Sequence, residues 1–127
     1  MEYEELTKQI IGCSYQVYNT LGSGFLESVY ERSLLIELRS ASLVAMPQVG
    51  LEVTYRDLPA GQFFADIIVE ETVIIELKAV EQLTKVHEVQ LVNYLVATGK
   101  PIGLLINFGP DGLKVRRKVR DLSLISC

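Results

Sequence analysis

Asp66, Glu76 and Lys78 sit inside stretches that are otherwise almost wholly apolar, F-F-A-D-I-I-V-E-E-T-V-I-I-E-L-K-A-V. Charges in such a setting are costly unless something binds or pairs them. Two carboxylates and a lysine spaced to meet across a hairpin are what a divalent metal ion and a hydrolytic water require. Mg²⁺, or Mn²⁺ in its place, takes oxygen ligands in near-octahedral geometry and keeps several waters. Asp66 and Glu76 offer carboxylates and the Leu77 carbonyl a neutral ligand. A bound ion makes its water a better nucleophile and offsets charge building on a phosphate. Lys78 could orient or deprotonate that water, or neutralise the phosphate. The chemistry so described is metal-assisted phosphodiester hydrolysis. The same three residues also fit a buried ion cluster in which Lys78 simply pairs with the two acids, and their spacing alone does not choose between these.

The functional reading demands one register. Side chains alternate faces along a strand, so Glu76 and Lys78 share a face with Ile74, and Asp66 shares one with Ile68. A three-residue connection at Glu70-Glu71-Thr72 sets Asp66 opposite Glu76, with Cβ atoms about 4.5–5.5 Å apart. A two-residue turn would put the carboxylates on opposite faces.

The elements that must hold these residues follow from periodicity. Leu6, Ile10, Cys13, Val17 and Leu21 recur at helical spacing, which predicts a helix over residues 3–20 that stops at Gly22-Ser23-Gly24. Tyr30, Leu34, Leu35 and Leu38 line a second helix from about Leu26 to Arg39, with Gly24 as its N-cap. Val49, Leu51, Val53 and Tyr55 alternate with polar or small residues as a strand, and Arg56 to Gly61 reads as a turn. Strands over 62–69 and 73–79 follow, then a helix from about Leu83 to Thr98, capped by Gly99 and kept from continuing by Pro101. Ile102 to Phe108 and Leu113 to Val119 are strands about a turn at Gly109-Pro110-Asp111-Gly112. The order is ααβββαββ, with neither repeat nor linker, so residues 1–127 read as one α/β domain.

Further polar residues share helix faces. Gln90 and Tyr94 are four apart and His87 precedes Gln90 by three. A polar triplet on a helix that packs on a sheet points towards the carboxylates or the substrate, although a lone histidine is more often a satisfied surface residue. Glu27 falls at the third position of a helix capped by Gly24, where a carboxylate suits the capping box and the dipole. Tyr30 lies one turn on and reads as a buried structural tyrosine.

Net charge is −4, unusual for a strong nucleic-acid binder. The distribution is uneven. Residues 114–127 carry Lys114, Arg116, Arg117, Lys118 and Arg120 against Asp121, a local charge of +4, and residues 1–113 carry −8. The basic run is a candidate for phosphate contact, and equally a guarded edge strand. Charges interrupt every apolar run, the start M-E-Y-E-E-L is unlike a signal peptide, and Cys13 and Cys127 form no framework. The expectation is a protein of the reducing cytoplasm with two free thiols and no membrane span. One histidine and two scattered cysteines make no usual zinc site.

The motifs in order are G-F-L-E-S-V-Y at Gly24–Tyr30, A-D-I-I-V-E-E-T-V-I-I-E-L-K-A-V, H-E-V-Q-L-V-N-Y-L and G-L-L-I-N-F-G. In this the chain resembles the PD-(D/E)XK nuclease superfamily, and more narrowly its GxxExxY family, over roughly residues 8–118. The resemblance implies a restriction-endonuclease-like mixed sheet flanked by helices and a metal-dependent nuclease acting on DNA. It implies Asp66 as first metal-binding aspartate, Glu76 as second acid, Lys78 as the motif lysine and Glu27 as the helix glutamate that completes the metal site in some branches. Gln90 and Tyr94 match a Q-x-x-x-Y motif of RecB-type nucleases, which makes Gln90 an orienting residue for Lys78 or substrate. Ala65 stands where the superfamily often has proline, and Phe64 where the narrower family is expected to have arginine. Such a small domain with one site could form a homodimer to cut two strands. A nuclease-like fold that only binds nucleic acid or a protein partner is the alternative.

Overall fold

The computed structural model describes residues 3–120. Cys127 and Asp121, counted above, lie outside the described residues. The elements run in the expected order: α1 (Glu4–Leu21), α2 (Glu27–Ser40), β1 (Ala45–Tyr55), β2 (Leu58–Val69), β3 (Val73–Lys78), α3 (Lys85–Thr98), β4 (Ile102–Gly109) and β5 (Gly112–Val119). The strands form one sheet in the order β1-β2-β3-β4-β5. Among the described residues only β3 and β4 pair in parallel, with α3 as the crossover that a parallel pair requires.

Each face of the sheet is covered because each helix has one apolar stripe. On one side α1 and α2 pack together and bury Ile10, Val17, Tyr30, Leu34 and Leu38 against Ile67, Ile75, Leu77, Leu104, Ile106 and Phe108. On the other, Leu91 and Leu95 of α3 meet Ala65, Ile68, Ile74 and Leu105. β4, sandwiched between both layers, is buried along its whole length. Leu91 sits so close to Gly103 that a Cβ there would lie 2.8 Å from its Cδ1, so glycine sets the depth at which α3 rests.

Local chemistry departs from expectation in two places. Gly24 is not the cap of α2. Leu26 holds that position without a side-chain bond, which makes Glu27 the first helical residue rather than the third. The approach to α2 is organised by Tyr30 instead, whose hydroxyl donates to Gly22 O at 2.6 Å and accepts the Phe25 N–H at 3.3 Å. The β1–β2 connection is also shorter than the stretch Arg56–Gly61. Only Arg56 and Asp57 turn, both at positive φ (52° and 64°) as a tight hairpin demands, and Leu58 already pairs with Tyr55. The register then shifts between Val53 and Thr54, which accommodates Ala60 next to Pro59. The β2–β3 connection is the three-residue Glu70-Glu71-Thr72 that the functional reading demanded, with Ile67 opposite Ile75 and Val69 opposite Val73.

Candidate functional site

The β2–β3 ladder ends at Ile67–Ile75, and the next position in register joins Asp66 to Glu76. Asp66 makes no backbone pair with β3 there. Its side chain reaches across, and Oδ2 accepts the Leu77 N–H at 2.7 Å. The N–H and C=O of a strand residue point the same way, so the Leu77 carbonyl also faces this side. Ala65 and Ile68, three apart, both face α3, so the side-chain alternation of β2 breaks between them. Across β1 the matching residue, Gln48, has φ 48°, and its amide donates to Glu31 Oε1 at 2.7 Å and to Asp66 Oδ1 at 3.5 Å.

Glu76 is the most perturbed group. Burial, then the Asp66 charge, push its carboxyl up to about 8, with the Asp66 backbone N–H and Lys78 pulling the other way and Glu27 adding to the rise. Its Oε1 is buried with no hydrogen-bond partner among the described residues. Such an orphaned oxygen calls for an explanation, and an ion is one. Burial also raises the Asp66 carboxyl, against the Leu77 N–H, Lys78 and Gln48. Glu27 and Glu31 are raised as well, by burial first and then by Asp66 among others. Lys78 is the cation that opposes the charge on Glu27, Asp66 and Glu76.

Glu27, Glu31 and Asp66, with Ser28, Gln48 and Leu77, line a cleft of about 260 Å³. Among the described residues no three His, Cys, Asp or Glu side chains already converge as a metal-binding group. Burial first, and for Glu27, Glu31 and Glu76 the charge of Asp66 as well, disfavours the ionised form of these carboxyls. The donor set is nevertheless of one kind: carboxylate oxygens around a fork in the sheet, one of them orphaned, with a backbone carbonyl on the same side. Hard divalent cations take such oxygen ligands, so these residues fit one.

The other candidate residues divide. Tyr94 faces the cluster: after burial, Glu76 and Asp66 are what raise its hydroxyl, and its ring stacks on Phe63 with centroids 3.6 Å apart. Gln90 is exposed on α3. His87 is occupied locally, its ring closing a capping box with Thr84, which caps α3. The basic run splits by strand parity. Lys114, Arg116 and Lys118 pair with Asn107, Leu105 and Gly103, on the α3 face, whereas Arg117 lies on the α1 face beside Thr7 and Lys8. Lys118 is tied to Glu88 at 2.5 Å. Tyr30 is structural, fully buried and stacked on Phe108 at 4.4 Å.

Sequence reasoning missed three residues. Glu31 could have been found, four residues after Glu27 on the same helix face. Asn107 stands alone as a polar residue in a buried strand, and that was its signal. Its Oδ1 accepts the Val80 N–H and its Nδ2 donates to Val80 O, both at 2.9 Å. Gln48 gave no signal, because its role depends on a positive φ within a strand.

Comparison with known proteins agrees with this fold. By sequence, the PD-(D/E)XK nuclease superfamily matches residues 4–120. A crystal structure of the protein SSO0001 is similar in fold, with a TM-score of 0.61 at 22% identity over 97% of this chain. The chain spans 63% of the length of that protein. No curated protein matches.

Proposed function

Because the chain belongs to the PD-(D/E)XK nuclease superfamily, we propose that it is a metal-dependent nuclease that hydrolyses phosphodiester bonds in DNA. The observation that carries the reading is the buried, unpartnered Oε1 of Glu76 beside Asp66 and Lys78. Nucleases of this superfamily generally use divalent metals. Mg²⁺ or Mn²⁺ would be held by Asp66, Glu76, Glu27 and the Leu77 carbonyl, supplying an activated water and charge neutralisation at phosphate. The chain's own residues do the rest. Asp66 is fixed by the Leu77 N–H and keeps Oδ1 for the ion, shared with a long contact from Gln48. Lys78 emerges beside the carboxylates and orients the attacking water. Gln90 and Tyr94 on α3 flank the substrate side, and Lys114 and Arg116 offer charge to its backbone. Within the superfamily the motifs favour the GxxExxY family, and the two unpaired cysteines of the sequence favour the reducing cytoplasm as the place of action.

One observation favours a second reading, a nuclease-fold module that binds without cutting. Phe64, where the narrower family is expected to carry arginine, is 56% exposed and offers no charge to a phosphate. Cleavage of supercoiled and linear DNA with Mg²⁺ or Mn²⁺ separates the two. The nuclease reading expects nicking that Glu76→Ala and Lys78→Ala both abolish. A folded wild-type protein that binds divalent metal and DNA but leaves both substrates intact would favour the module.

A further inference from the structure

On the α3 face lies a second, larger cavity, of about 370 Å³, between the loop that follows β3 and the β4–β5 turn. Asn107 lines it, and its amide, bonded to both the N–H and the carbonyl of Val80, holds the loop in place. Lys114 and Arg116 line it from β5, Glu81 and Gln82 from the loop, and Asp111 from the turn. The sheet register ties this cavity to the carboxylate site. Lys78 pairs with Asn107 and Asn107 with Lys114, while Glu76 pairs with Leu105 and Leu105 with Arg116. Lys114 is therefore level with Lys78, and Arg116 with Glu76, two strands away, about 10 Å at the usual strand spacing.

The two cavities have opposite character. The cleft at Asp66 presents three carboxylates and suits a cation. The larger one presents two cations opposite two acids, Glu81 and Asp111. A simple anion would gain little net attraction there. A nucleotide would gain more, with its phosphate on the cations and its base or sugar donors towards the acids, and the volume falls in the range that encloses a small ligand. The rest of the basic run is committed elsewhere, Lys118 to Glu88, Arg120 to the Gly99 carbonyl and Arg117 to the opposite face.

We propose that this cavity is a nucleotide subsite, receiving the unit of the substrate strand next to the phosphate at the Asp66–Glu76–Lys78 centre, with Lys114 and Arg116 on its phosphate. The proposal rests on the nucleic-acid reading above and names where that strand lies.

Its test is fluorescence anisotropy with a short labelled single-stranded DNA in metal-free buffer over a range of salt, so that nothing is cut. Lys114→Gln and Arg116→Gln should each weaken binding and lower the slope of log K against log salt by about 0.7, while Arg117→Gln leaves it unchanged. Lys114→Arg should keep the wild-type slope, and melting curves confirm that each variant is folded. No binding by wild type, an unchanged slope in the Lys114→Gln/Arg116→Gln double variant, or an equal loss in Arg117→Gln would overturn the subsite. Cleavage is scored separately. A salt slope carried by Lys114 and Arg116 without cleavage leaves the subsite standing and the nuclease reading failed, and cleavage with an insensitive slope does the reverse.

Discussion

The Asp66 carboxylate takes the place of a backbone partner for Leu77, accepting its N–H at 2.7 Å just where the β2–β3 ladder stops. One side chain therefore both closes the fork and presents its second oxygen to the cleft. Asp66→Asn keeps an acceptor for Leu77 and removes a charge, whereas Asp66→Ala orphans the Leu77 N–H at a cost of roughly 1–3 kcal/mol. Without metal, the Asn variant should melt above the Ala variant. Mn²⁺ should raise the melting temperature of the wild type, by the equivalent of about 2.7 kcal/mol at a hundred times the dissociation constant, and both variants should lose that rise. An undiminished rise in Asp66→Ala would remove Asp66 from the metal site.

Stability should depend on pH through Glu76. Its carboxyl is raised from 4.5 to about 8, so the folded chain holds this proton more tightly than the unfolded one. The contribution is fully present below the unfolded value and is lost as pH rises through the folded value. Asp66, Glu27 and Glu31 are shifted in the same direction. The metal-free protein should thus lose stability as pH climbs from 4.5 to about 8, and Glu76→Gln should flatten that slope. Thermal melts across this window are the measurement, and identical slopes for the two proteins would contradict the assignment. Metal must displace the same proton, so its apparent affinity should strengthen with pH over the window.

Tyr30→Phe keeps the stack on Phe108 and deletes both hydroxyl bonds, leaving Gly22 O and the Phe25 N–H without this partner. Urea denaturation should show a loss of about 1–3 kcal/mol. Because these bonds organise the approach to α2, the variant should also weaken the metal response that depends on Glu27. A fully wild-type metal response would show that Glu27 is placed by its helix alone.

Asn107→Ala strips both partners from Val80, at roughly 1–3 kcal/mol for each group left unpaired. Gly109→Ala attacks the same clamp from the other side, since a Cβ there would lie 2.8 Å from Asn107 Nδ2 and 2.9 Å from Val80 O. Each single variant should be destabilised, and the double variant by less than the sum, because one clamp is lost twice. Additive losses would mean that the two residues act separately.

How much of this was legible follows from which physical signals the chain writes into its sequence. Asp66, Glu76 and Lys78 stood out because charge in an apolar strand is costly, and their register followed from the length of one connection. The parallel β3–β4 pair, with its helix between two apolar strands, accords with the mixed sheet that the resemblance implied. Strand bounds were lost at Pro47, where a proline reads against a strand although burial alternates regularly along edge strand β1, and at Pro59 to Gly61, where every residue is exposed and nothing alternates. The cap of α2 was misread because a tyrosine hydroxyl from inside the helix does the work assigned to Gly24. Gln48 was invisible because a positive φ at a strand position has no compositional mark. His87 shared a face with Gln90, as its spacing required, yet its ring is turned to its own helix end, a choice that spacing does not encode.

Two side chains imitate backbone around the chemistry-bearing end of β3: Asp66 reaches Leu77 from β2, and Asn107 reaches Val80 just beyond Lys78, where the β3–β4 ladder stops. A backbone ladder is indifferent to which residues it joins, so substitution cannot easily alter it. These two fastenings are different, since each is written in a single codon. The terminal stretch from Leu77 to Val80 can be loosened, shifted or stiffened by one replacement while the rest of the sheet keeps its pairing. Diversification of such a site can therefore proceed in steps that leave the fold intact.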